Sequence, residues 1–330
     1  MNFQDIPPIK NPDFYLDRAF KEANKRASSL RQAARGSRLE KSKKLELEKL
    51  IMVNKILSAE MDSIIKTFPS LDNLSEFYTE LINACLDFSL LKKALGGLHW
   101  CHDKVKSLTR DYLRKIRYNK DLSQFNSLRT QYYGRVSSVL KQNKGNFCRL
   151  EEARKAMRDF PDIKEGLFTV AIAGFPNVGK STLLAKLTTA RPKIASYPFT
   201  TTTLNVGYML YHHQDIQMID TPGTLNRFER MNNIEKQAYL AMKYCSNLII
   251  YIFDLTEEYP LEDQLTLFRL LKEYDKPLVA FFSKQDMLGQ EEFAGKVRQL
   301  GKGKPAKIIK DIDQLKKLIV KEFEASEFAL

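Results

Sequence analysis

Gly174-Phe175-Pro176-Asn177-Val178-Gly179-Lys180-Ser181 decides the fold. The stretch satisfies the pattern GxxxxGK[ST], and its setting gives the pattern meaning. An apolar run, 169–173, precedes it and a helical stretch, 182–187, follows, so the loop carries the chain from a strand into a helix N-terminus. The glycines let main-chain N–H groups wrap a phosphate, and the helix N-terminus adds partial positive charge. Lys180 is placed to reach the β- and γ-phosphates, and the Ser181 hydroxyl to bind Mg²⁺. Asn177, Val178, Gly179, Lys180, Ser181 and Thr182 are therefore candidates for nucleotide contact.

Around this loop the chain reads as a sheet protein. Short apolar runs stand at 167–173, 204–210, 216–219, 248–253 and 278–282, with helical stretches between most of them. That alternation predicts a parallel sheet with crossover helices on both faces. Residues 203–221 depart from it: two runs follow each other with only His213 to Asp215 between, as in a hairpin. The expected sheet is mostly parallel with one antiparallel strand.

Three further motifs follow. Ile216 to Gly223 is an apolar strand ending in Asp220-Thr221-Pro222-Gly223, a DxxG pattern. A carboxylate there holds Mg²⁺ through its water shell, and the Gly223 N–H meets the γ-phosphate. Tyr197-Pro198-Phe199-Thr200-Thr201 lies between the two motifs, where a threonine completes the Mg²⁺ shell only while the γ-phosphate is present. Ser283-Lys284-Gln285-Asp286 ends the run 278–282 and reads as NKxD with Ser in place of Asn. Asp286 accepts from guanine N1–H and the 2-amino group. Adenine offers neither, so the carboxylate selects guanine. The Lys284 stem covers the base plane.

The first half is helical. Leu50, Val53, Leu57, Met61, Ile64 and Phe68 recur at three- and four-residue steps, and Pro69 stops them. Leu74, Phe77, Leu81 and Cys85 line a second helix. Leu91, Leu95, Leu98, Cys101, Val105, Leu108 and Tyr112 line a third. Asp121 caps a fourth with Phe125, Leu128, Tyr132, Val136 and Val139 inward. Helices of this length joined by short turns predict an antiparallel bundle, residues 1–160, ahead of a P-loop GTPase domain, residues 161–330.

The net charge of +13 is unevenly spread. Residues 1–165 hold 32 Lys/Arg against 21 Asp/Glu, and most of the excess sits in 18–49 and 104–149. Such stripes suit a polyanion, with nucleic acid the obvious one. Arg110, Arg114, Lys115, Arg117 and Lys120 are the candidate phosphate contacts, with 110, 114 and 117 on one helix face. No apolar run approaches the ~18 residues of a membrane helix. The stretch MNFQDIPPIK lacks the basic start and apolar core of a secretory signal, so a cytoplasmic protein without a membrane partner is expected. Cys85, Cys101, Cys148 and Cys245 form no CxxC pair and are read as reduced, mostly buried thiols. His99 and His102 read as polar residues on a helix face, and no histidine metal site is expected.

GFPNVGKS, YPFTT and DTPG together resemble the Obg-type GTPases. The stretch 229–238 after DTPG, with SRLEKSKKLELEKL (37–50), FPSLDNLSEFYTELI (68–82), LKKALGGLHW (91–100) and YGRVSSVLK (133–141), resembles the nucleolar GTP-binding protein 1 family in its shorter, archaeal form. The resemblance runs from about residue 8 to residue 325. It implies a GTP-hydrolysing assembly factor of the large ribosomal subunit, monomeric off the ribosome. Its helical domain would contact rRNA, and its GTP state would gate docking or release. By the family pattern Gly179, Lys180 and Ser181 carry over as phosphate and Mg²⁺ ligands and Thr201 as the switch ligand. Asp220 and Gly223 carry over from DxxG, and Lys284 and Asp286 from the base motif. The SAK-like loop that backs the guanine is not recognisable; its place falls near Ile308 to Lys310. An RNA-binding scaffold that scarcely turns GTP over, or another translation-linked Obg-type GTPase, is the alternative.

Catalysis would rest on Lys180, Thr201 and Gly223. Where Ras-like proteins carry a water-orienting glutamine this chain has Thr224, too short for that task, so slow intrinsic hydrolysis is expected. Asn177 stands where some GTPases with PNxGKS loops bind K⁺; capping of the loop is its other reading. A potassium role predicts faster hydrolysis in K⁺ than in Na⁺ buffer, and equal rates leave Asn177 with the loop alone.

Overall fold

The computed structural model describes residues 3, 5–33, 35–188, 204–221, 233–256, 258–301 and 308–329. Among these, six helices precede the sheet: α1 (Pro12–Ala33), α2 (Arg38–Thr67), α3 (Glu76–Cys85), α4 (Phe88–Tyr118), α5 (Leu122–Gln142) and α6 (Lys144–Arg158). The chain divides into two compact units. One comprises Asn2–Leu74 and Leu86–Arg158; the other is built from Ser75–Cys85 and Asp159–Leu330.

The helical unit holds α1, α2, α4, α5 and α6, with α2 packed on α1 and α4, and α4 on α5 and α6. Its helix ends follow from local chemistry. Ser37 and Glu40 form a reciprocal capping box at the start of α2. Phe68 is extended, as a residue before proline must be, and ends it. Asp87 and Asp121 cap α4 and α5, accepting from Leu90 N and Ser123 N, each at 2.9 Å. The buried stripe of α2, Leu50, Val53, Leu57, Met61 and Ile64, is the one its spacing predicts.

Two expectations need correction here. His102 is buried rather than on an open polar face. Its ring lies 3.1 Å from the Asp62 carboxylate of α2 and 3.0 Å from that of Asp103, which is what lets a polar ring enter the packed side of α4. The thiols are free, but only Cys101 is buried; Cys85 and Cys245 are half-buried and Cys148 is exposed. Burial pushes the Cys101 and Cys245 thiols up to about 12, so both are protonated and unreactive at neutral pH.

The second unit is a six-stranded sheet of order β2-β3-β1-β4-β5-β6. Its strands are β1 (Thr169–Ala173), β2 (Asn205–Tyr211), β3 (Gln214–Asp220), β4 (Leu248–Asp254), β5 (Leu278–Ser283) and β6 (Ile308–Ile309). Among the described strands only the β2–β3 pair is antiparallel. Its turn is tighter than the sequence indicated. His212 and His213 alone link the strands, both at positive φ (44° and 65°), as a two-residue hairpin requires. Every strand of the central four is buried on both faces, which explains their near-continuous apolar runs.

Helices α7 (Lys180–Leu187) and α11 (Ile312–Glu324) cover one face through Leu183, Leu184, Leu315 and Ile319. Helix α9 (Leu261–Lys272) covers the other through Leu267, Phe268 and Leu271. Helix α8 (Asn233–Leu240), continued by a π turn at Ala241–Cys245, packs on α3; α10 (Gln290–Gly301) precedes β6. Tyr78 of α3 donates to the Pro161 carbonyl at 3.2 Å. Among the described residues no helix is long and apolar enough to cross a membrane.

A polar contact of two hydroxyls lies in the bundle core. The Thr109 and Tyr132 hydroxyls lie 2.8 Å apart, both buried, and Thr109 also donates to the Val105 carbonyl at 2.8 Å. Thr109→Val strands the Tyr132 hydroxyl in the core, whereas Tyr132→Phe leaves Thr109 its Val105 partner. Thr109→Val should therefore cost about 1–3 kcal/mol and Tyr132→Phe about 1 kcal/mol, measured by urea unfolding.

Candidate functional site

Parallel pairing brings the carboxyl ends of β1, β3, β4 and β5 to one edge of the sheet, where open α/β sheets bind ligands. The P-loop leaves β1 there. Gly174 sits at φ 149°, and a Cβ on it would lie 2.8 Å from the Ile252 carbonyl oxygen of β4. Only glycine fits that approach. Asn177 is exposed at φ 61°, a conformation asparagine tolerates. Gly179, at φ 94°, caps α7, and Val178 is fully buried beneath the loop.

The chemistry-bearing side chains follow. Lys180 is buried and donates to the Phe175 carbonyl at 2.7 Å, folding its ammonium back over the loop. Burial pushes its pKa below the ordinary lysine value, and the charge of Asp220 opposes that shift. Ser181 Oγ donates to Asp220 Oδ2 at 2.5 Å, and Asn205 Nδ2 donates to the same oxygen at 3.2 Å. Asp220 Oδ1 is buried with no hydrogen-bond partner among the described residues. A hydroxyl and an unsatisfied carboxylate oxygen side by side are hard oxygen donors of the kind Mg²⁺ takes, so these residues fit that ion. No cluster of three or more His, Cys, Asp or Glu among the described residues suits a different metal.

Thr200, Thr201, Gly223 and Thr224 lie outside the described residues. Thr182 follows Ser181 in the first turn of α7 and is exposed.

The base motif lies next to the loop: a Cβ on Gly179 would meet Ser283 Cβ at 3.9 Å. Ser283 donates to the Phe253 carbonyl at 3.3 Å. Lys284 adopts φ 52°, and its ammonium lies 2.7 Å from Asp254 Oδ2 and 3.2 Å from Glu258 Oε2. Asp286 is exposed on the 3-10 turn Gln285–Met287.

Asp254 is a residue the motif reading missed. It is fully buried at the end of β4 and accepts from Thr256 N (2.9 Å) and Thr256 Oγ1 (2.6 Å). Burial pushes its carboxyl up, but Lys284 and the Thr256 donors outweigh that and hold it below the ordinary aspartate value. The Asp254 contact in turn raises Lys284. Buried Gln264 of α9 clamps the main chain of Asp254 from both sides, accepting from its N–H at 2.9 Å and donating to its carbonyl at 2.8 Å. The signal was present in outline: one carboxylate ends six apolar residues, 248–253. Asn205 was also missed, because its role follows from the β2–β3 register that sets it opposite Asp220.

On the helical unit Arg110, Arg114, Lys115, Arg117 and Lys120 are all exposed at or just beyond the last turns of α4. None of the five pairs with a carboxylate among the described residues. The other basic stretch is partly neutralised: Arg18 pairs with Glu60, Arg26 with Glu48 and Lys49 with Glu46. Tyr118, among the unpaired cations, is 77% exposed.

Residues 3–164 match a family model described as the NOG1 N-terminal helical domain, and residues 169–284 one described as a 50S ribosome-binding GTPase. The chain is 38% identical over 294 residues to an uncharacterized protein of Methanocaldococcus jannaschii, covering 88% of this chain and 82% of that one. It is 30% identical over 292 residues to nucleolar GTP-binding protein 1 of Drosophila melanogaster, covering 87% of this chain and 44% of the fly protein. It thus spans less than half the length of that relative. Among solved structures, a variant of Era from Aquifex aeolicus bound to GDP and AlF4⁻ is 26% identical and gives a TM-score of 0.38, covering 47% of this chain and 56% of Era.

Gly174→Ala forces a Cβ against the Ile252 carbonyl in a backbone region that L-residues avoid. The strain of about 1–3 kcal/mol should weaken GDP binding roughly tenfold or more, measured by calorimetry. Unchanged affinity would mean the loop does not need this conformation to hold phosphate.

Proposed function

The chain belongs to the nucleolar GTP-binding protein 1 family, and from that premise we propose that it is a cytoplasmic, GTP-hydrolysing assembly factor of the large ribosomal subunit. Residues 1–160 dock on rRNA, and residues 161–330 bind Mg²⁺-GTP and report its state. Off the ribosome it acts as a monomer. One observation carries this reading. A phosphate, metal and guanine site shares a chain with a row of exposed cations, none of which pairs with a carboxylate among the described residues.

In the nucleotide domain Lys180, buried at the start of α7, neutralises β- and γ-phosphate charge. Bound Mg²⁺ would be held by Ser181, Asp220 and Thr201 and would supply charge neutralisation of the phosphates. Gly223 presents its N–H to the γ-phosphate, so loss of that group releases the loop behind Asp220. Lys284 and Asp286 take the base. Hydrolysis is slow without the ribosome, since Thr224 cannot orient water as a glutamine does; Asn177 would either cap the loop or hold K⁺, which would supply further positive charge beside the phosphates.

In the helical domain Arg110, Arg114, Lys115, Arg117 and Lys120 contact rRNA phosphates, reading shape rather than sequence. The eukaryotic relatives are named as nucleolar GTP-binding proteins, and the matched GTPase model is described as ribosome-binding, both of which favour a ribosomal partner.

Co-sedimentation with purified large subunits tests this. Binding should be stronger with a non-hydrolysable GTP analogue than with GDP. Replacing Arg110, Arg114 and Arg117 together by Glu should abolish it while leaving GTP affinity as it was. Equal binding in every nucleotide state would contradict the gating; undiminished binding of the triple variant would contradict the RNA contact.

A further inference from the structure

We propose that the outer face of α4 is a stacking platform for unpaired RNA bases, with Trp100 and Tyr118 each taking one base. The proposal rests on the RNA reading of the helical unit and adds to it the form of RNA this face takes. That form is a single strand, whose base faces are open, and not a duplex, whose base faces are hidden.

The geometry starts from the helix period. α4 is helical without a break from Phe88 to Tyr118. The step from Trp100 to Tyr118 is about five full turns, so both side chains leave the helix in the same direction, about 27 Å apart along its axis. That direction is away from the core, which α4 meets through Leu91, Leu98, Val105 and Tyr112. Trp100, the one tryptophan of the chain, is 47% exposed and Tyr118 77%. Neither ring has an aromatic or cation–π partner among the described residues, whereas Tyr112 and Tyr132 lie ring to ring inside the bundle. A single exposed aromatic is ordinary; two in line on one helix make a surface.

The surroundings of the rings suit a strand of bases and phosphates. A helical side chain leans over the turn before its own Cα. One turn before Trp100 stands Gly96, exposed, where a Cβ would meet no heavy atom within 4 Å. The indole therefore has open space beside it for a planar group. One turn before Tyr118 stands Arg114, within reach of the phosphate of a base stacked on the phenol ring. Within about 40° of the line joining the rings lie the exposed cations Lys93, Lys104 and Arg114, with Asp111 as the one acid. None of the three cations pairs with a carboxylate among the described residues. Rings alternating with positive charge complement a single strand, which alternates flat base faces with phosphates. Against a duplex the rings would meet only sugar and phosphate. Because every base has a π-face, the platform takes any sequence.

The test measures binding of the full chain to a labelled RNA of about twelve nucleotides without self-pairing, and to the same strand annealed to its complement. A duplex carries the denser charge, so phosphate contacts alone would favour it. The platform predicts the reverse, with the single strand bound roughly tenfold more tightly. Trp100 fluorescence should be quenched by the single strand and not by the duplex. Trp100→Ala and Tyr118→Ala should each weaken single-strand binding roughly tenfold, with the salt dependence and the melting temperature as in the wild type. Tyr118→Phe keeps the ring and should bind as the wild type does. Duplex binding as tight as single-strand binding, or full single-strand affinity in either alanine variant, would overturn the proposal and leave the phosphate contacts standing. Alanine variants that lose large-subunit binding yet bind both RNAs normally would give the rings to a protein partner and overturn it too. A wild type that binds neither RNA would overturn the RNA reading beneath it as well.

Discussion

The site is organised by one hydrogen bond, from the Ser181 hydroxyl to the Asp220 carboxylate at 2.5 Å. It joins the first turn of α7 to the last residue of β3, two elements that meet only because β1 and β3 are neighbours in the sheet. The register that pairs Ile172 with Asp220 puts the carboxylate beside the loop that leaves β1. Thr221 then donates to the Ile172 carbonyl from both its N–H (3.1 Å) and its hydroxyl (2.8 Å), fixing the residue that follows β3. The antiparallel β2 supplies Asn205 to the same carboxylate. What these donors leave over is Asp220 Oδ1, buried and without a partner among the described residues, a cost that a cation would relieve.

A second network of the same design serves the base. Asp254 and Ser283 are partners across β4 and β5, and the carboxylate of the first reaches the ammonium of Lys284, next to the second. Because Asp254 is fully buried, its charge is stable only while Lys284 and Thr256 attend it. Gln264 holds its main chain from α9. The two halves of the nucleotide site are thus set by two buried carboxylates on strand ends, each committed to a motif residue on the next element. The packed helices and the sheet register keep them a fixed distance apart.

The bundle and the α/β domain were legible in the sequence because their periodicities differ and each run has a stop signal. The P-loop was legible because its residues are contiguous and bonded to one another's main chain. Asp254 and Asn205 were not, since each acts through a partner far away in sequence, and pattern alone cannot supply the register that unites them. Helix α3 teaches a similar lesson. Leu74, Phe77, Leu81 and Cys85 announce an amphipathic helix, but a hydrophobic stripe does not name the core it fills, and this helix packs against α8. His102 looked like a surface residue until the Asp62 carboxylate on α2 gave it a reason to be inside.

If the Asp220 carboxylate is the hinge of the nucleotide site, its removal should separate Mg²⁺ from nucleotide. The direct measurement is calorimetric binding of a non-hydrolysable GTP analogue, with and without Mg²⁺, to the wild type and to Asp220→Asn. The wild type should bind the analogue more tightly with Mg²⁺, and the variant should bind it equally with or without the ion. A variant that keeps the full Mg²⁺ enhancement would contradict the account, because Asp220 would then not be a residue that holds the metal.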